Sequence, residues 1–266
     1  MGCRMICLDI DGTLLNTEHQ IMDATRKAIA DAITKGALVV LVSARMPQGM
    51  EPIRKELALQ DILVCYSGAL IMENGMVIYN AALPIDEARD TVKTARSLQV
   101  HASLYKQEHW IVEKVDAWSE QETAIIGLQP EVKRFSSAVR SWREEGVGPN
   151  KLLFMADADK ITELKETLEL KPHRGLECYR SKPTYLEAVP SEGSKRRAIA
   201  FLCERYGIPR EETLAIGDNE NDLDMIEYAG IGVAMGNAAE SVKKAADFVT
   251  NTNDEDGAAF AIRKFS

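Results

Sequence analysis

The run Ala37-Leu-Val-Val-Leu-Val42 is continuously apolar and rich in β-branched side chains. A strand of that kind has no polar face to offer water, so it belongs in a parallel sheet covered by helices on both sides. The flanking sequence agrees. Cys3 to Ile10 reads as another buried strand that stops at an Asp-x-Asp-Gly turn. From Met22 to Lys35 the residues Ala24, Ala28, Ile29, Ala32 and Ile33 recur at helical spacing, and Gly36 ends the helix. The spacing predicts a second helix over 48–59 and a third strand over 62–66. Strands alternating with helices predict a doubly wound α/β sheet.

Leu70–Tyr79 reads as a hairpin with its turn at Asn74-Gly75. Beyond it the texture changes: residues 84–183 hold all three Trp and three of the four His, with helices expected over 86–98, 117–126, 131–145 and 160–170 and strands between them, an order that predicts a separate α+β unit. After 185–189 the first texture returns, with helices over 194–206 and 222–228 and strands over 213–216 and 231–234. The expected architecture is an α/β core with a doubly wound parallel sheet, made from residues 1–83 and 184–266 and interrupted by an α+β domain over 84–183.

The length of 266 residues is enough for one large core or two smaller ones. There are 32 basic and 41 acidic residues, a net charge of −9. Such a field repels phosphate backbones and anionic lipid, so neither nucleic acid nor a membrane is an expected partner. The five cysteines are odd in number and lack CxxC or Cys/His zinc spacing. No disulfide framework is expected, and the reading is an unprocessed cytoplasmic protein. No apolar run is long enough to span a bilayer, and Asp9 and Asp11 interrupt any apolar leader. Nothing in the sequence fixes an oligomeric state.

Asp9-Ile10-Asp11-Gly12-Thr13 sits where the first strand ends, and open α/β sheets bind ligands at the carboxyl ends of their strands. Two carboxylates there can hold a hard cation, and one of them can attack phosphorus. Gly217-Asp218-Asn219-Glu220-Asn221-Asp222 repeats the arrangement at a later strand end. Its acidic groups are placed to complete a Mg²⁺ site, with Asn221 and Asp222 capping the next helix; an ordinary helix cap is the bland alternative. Ser43-Ala44-Arg45 ends the second core strand and brings a hydroxyl and a backbone N–H to the same edge, both donors to phosphate oxygen, although a plain turn has the same look. Lys195 lies in a Gly/Ser-rich approach to a helix; it is either a solvated lysine or the cation that offsets charge in phosphoryl transfer. His19, His101, His109 and His173 show no metal-ligand spacing. Tyr105, His109, Trp110, Tyr179, Arg180 and Lys182 lie in the insert, where packing or plain surface is the ordinary reading and contact with a leaving group the alternative.

In this order the four pieces resemble the motifs of the haloacid dehalogenase superfamily, and the insert resembles the type IIB cap of its Cof-like sugar phosphatases. The resemblance implies a Mg²⁺-dependent phosphatase of small phosphorylated metabolites, sugar phosphates or similar monoesters. Asp9 would be the nucleophile, forming an aspartyl-phosphate, and would also bind Mg²⁺. Asp11 would be general acid and then base, with its backbone carbonyl on the metal, and Asp218 the remaining protein ligand. Ser43, the amides of Ile10 and Ala44, Lys195 and Asn221 would hold the phosphoryl oxygens, with Asp222 supporting the metal or Lys195. The insert would close over the site and set specificity. Two positions depart from the family pattern: Ala44 stands where Gly is common, and Ser67 where Asn is more frequent. A phosphomutase on the same scaffold, or a catalytically silent sensor of phosphorylated ligands, are the alternative functions.

Overall fold

The computed structural model describes residues 2–170 and 174–266. In chain order the first elements are β1 (Met5–Leu8), α1 (Asp23–Thr34), β2 (Leu38–Val42), α2 (Pro47–Glu56), β3 (Ile62–Cys65), β4 (Leu70–Glu73) and β5 (Met76–Asn80). The insert contributes α3 (Ile85–Ser97), β6 (His101–Lys106), β7 (His109–Val112), α4 (Ala117–Ile126), β8 (Glu131–Val132) and α5 (Phe135–Glu145). It continues with β9 (Lys151–Met155), α6 (Ala158–Glu169), β10 (Leu176–Lys182) and β11 (Tyr185–Pro190). The chain ends with α7 (Lys195–Tyr206), β12 (Thr213–Gly217), α8 (Leu223–Tyr228), β13 (Ile231–Ala234), α9 (Glu240–Ala245), β14 (Phe248–Val249) and α10 (Gly257–Phe265).

The strands form an eight-stranded sheet of order β14-β13-β12-β1-β2-β3-β4-β5 and a six-stranded sheet of order β10-β11-β9-β6-β7-β8. In the first, β1 lies between β12 and β2 and is parallel to both, with Met5 opposite Thr213 and Leu38. Every residue of β1, β2 and β12 is buried, as the unbroken apolar run of β2 requires. The chain winds outward from β1 through β2 and β3, then returns to its other side through β12, β13 and β14. Open α/β sheets bind ligands at such a reversal of strand order, which here falls at the carboxyl ends of β1 and β12. The expected hairpin is present: β4 and β5 are neighbours, and Asn74 and Gly75 both have positive φ, 50° and 72°.

By compactness the chain divides into a unit holding the stretch up to Arg45, Met50–Tyr79 and Ser194–Ser266, and a second holding Met46–Gly49 and Asn80–Gly193. In the second unit one face of the sheet packs Leu104, Ile111, Leu152, Phe154, Leu186 and Ala188 against Ala88 and Ala95 of α3, Trp142 of α5 and Ile161 and Leu164 of α6. Two segments differ from the sequence reading. Residues from 184 onward were expected in the core, yet Tyr185 to Ala188 pair with β9 and all of β11 pairs with β10, so the core sheet resumes only after this strand. The helix expected over 131–145 begins at Phe135, because Glu131 and Val132 pair with Ile111 and Val112 as β8.

After β3, Tyr66, Ser67 and Gly68 have φ of 52°, 53° and 96° in succession. A Cβ on Gly68 would lie 2.1 Å from the carbonyl oxygen of Ser194. The left-handed turn therefore lets two backbones touch directly beside Lys195. Gly68→Ala is expected to lower stability by about 2 kcal/mol or more, from backbone strain and overlap together. Urea unfolding measures it; an unchanged midpoint would contradict the close approach.

Candidate active site

Asp9 is the first residue beyond β1, and its N–H donates to the carbonyl of Ile216 on β12, 3.1 Å. This ties the ends of the two strands together and leaves Asp9 6% exposed. A carboxylate so buried needs a cation. Lys195, the first residue of α7, supplies one: its Nζ donates to Asp9 Oδ1 at 2.6 Å, to Asp222 Oδ1 at 2.5 Å and to the carbonyl of Val42 at 3.2 Å. All three ammonium protons have acceptors, and Lys195 is 1% exposed. Ser194 caps α7 by accepting from the Arg197 N–H, which fixes the helix start that carries the lysine.

The other oxygen of Asp222 accepts from the backbone N–H groups of Asp218 and Asn219, 2.9 and 3.0 Å. The turn over 220–222 is capped by Asn219, whose side chain accepts from the Glu220 N–H; Asp222 holds the N-cap position of α8 as expected, though without a side-chain cap bond, and Asn221 lies inside the turn. Asp222 thus holds Lys195 and shapes the loop that presents Asp218. Asp218 accepts from the Thr13 hydroxyl at 2.9 Å. Gly12, with φ of 86°, lets these loops meet: a Cβ there would lie 2.4 Å from Asp218 Oδ2.

Asp9, Asp218 and Asp222 each place a carboxylate oxygen within 4.8 Å of the others. Three negative groups share one buried cation, and the titration behaviour reflects this. Burial, with the charge of Asp222, holds the Asp9 carboxyl well above the usual carboxylate range. Burial and Asp222 also push Asp218 up to about 6, against the opposing Thr13 bond. Burial alone would lower Lys195, but Asp222 and Asp9 raise it above the ordinary lysine range. Hard oxygen donors with surplus negative charge suit a divalent cation such as Mg²⁺.

A measurable consequence follows for Asp218. A carboxyl raised in the folded state adds stability that is fully present below the unfolded value of 3.8 and is lost as pH rises through about 6. In EDTA, the stability of wild type relative to Asp218→Asn is therefore expected to fall between pH 4 and pH 6.5. Added Mg²⁺ is expected to stabilise the wild type most above that window, by roughly 2–3 kcal/mol at 100 times its Kd. Thermal unfolding across this range checks both; parallel pH curves for the two proteins would contradict the assignment.

The other residues singled out in the sequence gather at the same strand ends. Ser43 is 2% exposed, and its Oγ accepts from the Arg45 N–H at 3.2 Å. Ile10 is buried, and its carbonyl accepts from Leu14 and Leu15. Ala44 and Asn221 are half-buried. Asp11 is exposed at the mouth, and both its oxygens are held by Arg45, through Nε at 2.8 Å and Nη2 at 2.6 Å. Arg45 had no role in the sequence reading. Nor had Asn237 and Asn253, which brace the loop after β1 by donating to the carbonyls of Gly12 and Leu15, 2.8 and 2.9 Å.

His101 lies between Asp116 and Ser103, and His109 pairs with Glu131. His19 is exposed, and His173 lies outside the described residues. Tyr105 and Trp110 stack on each other, the Tyr179 hydroxyl donates to Glu187, Arg180 donates to the Ala158 carbonyl and Lys182 sits over the ring of Tyr185. Among the described residues no helix is long and apolar enough to cross a membrane.

Comparison with known proteins agrees with this geometry. The family model for haloacid dehalogenase-like hydrolases matches residues 6–262. The 5-amino-6-(5-phospho-D-ribitylamino)uracil phosphatase YcsE of Bacillus subtilis is 32% identical over 98% of this chain and 94% of its own. A haloacid dehalogenase-like hydrolase from Bacteroides thetaiotaomicron has a crystal structure that superposes with a TM-score of 0.88 at 32% identity, covering 99% of this chain and 100% of that one. The subclass IIB sugar phosphatase BT4131 gives a TM-score of 0.83 at 26% identity over 98% of each chain. The chain belongs to the haloacid dehalogenase-like hydrolase family, among its Cof-like type IIB phosphatases.

Proposed function

We propose that this chain is a Mg²⁺-dependent phosphatase of small phosphorylated metabolites, sugar phosphates or similar monoesters, acting through an aspartyl-phosphate on Asp9. The observation that carries the reading is the Asp9 carboxylate, buried at the end of β1 with one oxygen tied to Lys195 and Asp218 beside it. The hydrogen bond orients the carboxylate for attack through its second oxygen. Asp9 and Asp218, with the Asp11 backbone carbonyl, would hold Mg²⁺, whose charge lowers the repulsion between carboxylates and an incoming phosphate dianion. Asp222 supports Lys195.

In the first step Asp9 attacks phosphorus, the bond to the ester oxygen breaks, and Asp11 gives its proton to the departing alkoxide. In the second, Asp11 takes a proton from water, which attacks phosphorus and returns Asp9 as carboxylate with release of inorganic phosphate. Ser43, Asn221, Lys195 and the amides of Ile10 and Ala44 hold the phosphoryl oxygens through both steps. The substrate class is supported by the relatives, one named for a sugar phosphate and one for a phosphoribityl compound. A cytosolic location is supported by the five cysteines, all free thiols.

The test is phosphate release from hexose, pentose and triose phosphates, nucleotides and p-nitrophenyl phosphate, with Mg²⁺ or EDTA. Mg²⁺-dependent release, highest on sugar phosphates, is the expected result. Rearranged sugar phosphate without free phosphate would show a mutase instead. Binding of phosphorylated compounds without turnover would show a sensor.

A further inference from the structure

We propose that Arg45 is a positioning residue for the general acid and base: its guanidinium selects the one side-chain orientation of Asp11 from which a proton can be passed. The inference rests on the reading of Asp11 given above and adds a residue that the motifs do not assign.

The backbone of Arg45 is pinned at two points. Its N–H donates to Ser43 Oγ at 3.2 Å, and its carbonyl accepts from the Tyr66 N–H at 3.1 Å, so the residue is fixed to the ends of β2 and β3. From that anchor the guanidinium crosses to the loop after β1, where Nε meets Asp11 Oδ2 at 2.8 Å and Nη2 meets Oδ1 at 2.6 Å. The Arg45 side chain is 18% exposed and that of Asp11 is 51% exposed. A carboxylate as open as Asp11 on a turn samples several rotamers. Two parallel hydrogen bonds from a rigid planar fork fix both the direction and the plane of the carboxyl group, which a point charge cannot do. Lys195 is committed to Asp9 and Asp222, so the orienting of Asp11 falls to this second cation. Proton transfer depends steeply on such placement.

The experiment compares wild type, Arg45→Ala, Arg45→Lys, Asp11→Asn and the Asp11→Asn/Arg45→Ala double variant on a sugar phosphate and on p-nitrophenyl phosphate. Arg45→Ala is expected to lower kcat on the sugar phosphate by about 10- to 100-fold with KM within a few-fold. Arg45→Lys should recover only a small part, because it restores charge without the fork. The double variant should be no slower than Asp11→Asn alone, as befits a residue acting through Asp11. With p-nitrophenyl phosphate, whose leaving group needs no proton, Arg45→Ala should show a first-turnover burst of p-nitrophenolate followed by slow turnover, since only the water step still requires Asp11.

Multiplying effects in the double variant would overturn the proposal, as would raised KM at unchanged kcat or full recovery in Arg45→Lys. So would a crystal structure of Arg45→Ala with Asp11 in its original rotamer, a readout independent of turnover. Wild-type protein that releases no phosphate from any compound would instead overturn the phosphatase reading.

Discussion

Asp9→Asn is expected to abolish phosphate release, by a factor on the order of 10⁴ or more, while leaving the protein folded. The amide is isosteric and can still accept from Lys195, so the hydrogen bond at 2.6 Å has a replacement. What disappears is the anionic oxygen proposed to attack phosphorus, and loss of a covalent nucleophile is among the largest single effects in catalysis. Stability should move the other way. Burial and Asp222 hold the Asp9 carboxyl well above the usual range, so ionising it in the cation-free protein costs folding energy that an amide does not. The melting temperature in EDTA at pH 7 is therefore expected to equal or exceed that of wild type. A variant that is inactive because it has unfolded would not support the assignment.

Lys195→Met should do the opposite, removing activity and stability together. The side chain is fully buried and touches Asp9, Asp222 and the Val42 carbonyl. Methionine fills a similar volume but leaves two buried carboxylates without their counter-ion. Breaking a buried ion pair from one side costs about 3–5 kcal/mol, which for a chain of this size corresponds to a fall in Tm on the order of 10 °C. Adding Asp222→Asn removes one of the orphaned charges and is expected to recover part of the stability and none of the activity. Thermal unfolding of the single and double variants, with circular dichroism to confirm folding, decides this. A Tm for Lys195→Met within a degree or two of wild type would contradict the triangle of Asp9, Lys195 and Asp222.

The parts of the site that could be read from the sequence are those written locally. Asp9 and Asp218 each follow a short apolar strand and precede a turn, so strand periodicity alone puts both at the same edge of a parallel sheet. Arg45 and Asp11 are separated by 34 positions. Their meeting depends on β1 and β2 being adjacent with Met5 opposite Leu38, a register that no local pattern states. Asn237 and Asn253 were hidden for the same reason, since each braces a loop more than 200 positions away. In the fold, β8 is only Glu131 and Val132, too short to show an alternation. Tyr185–Pro190 is buried throughout and reads equally well as a strand of either sheet. Only its antiparallel pairing with β9 and β10 assigns it to the second.

On the proposed route the phosphoryl group passes through Asp9. The most direct measurement is acid quench of the Mg²⁺-loaded enzyme during turnover of a ³²P-labelled sugar phosphate, followed by tryptic digestion. Label is expected on the peptide 5–26, which contains Asp9, released by hydroxylamine as an acyl phosphate should be and absent from Asp9→Asn. Turnover by wild type with no label on the protein, or label on any other peptide, would contradict it.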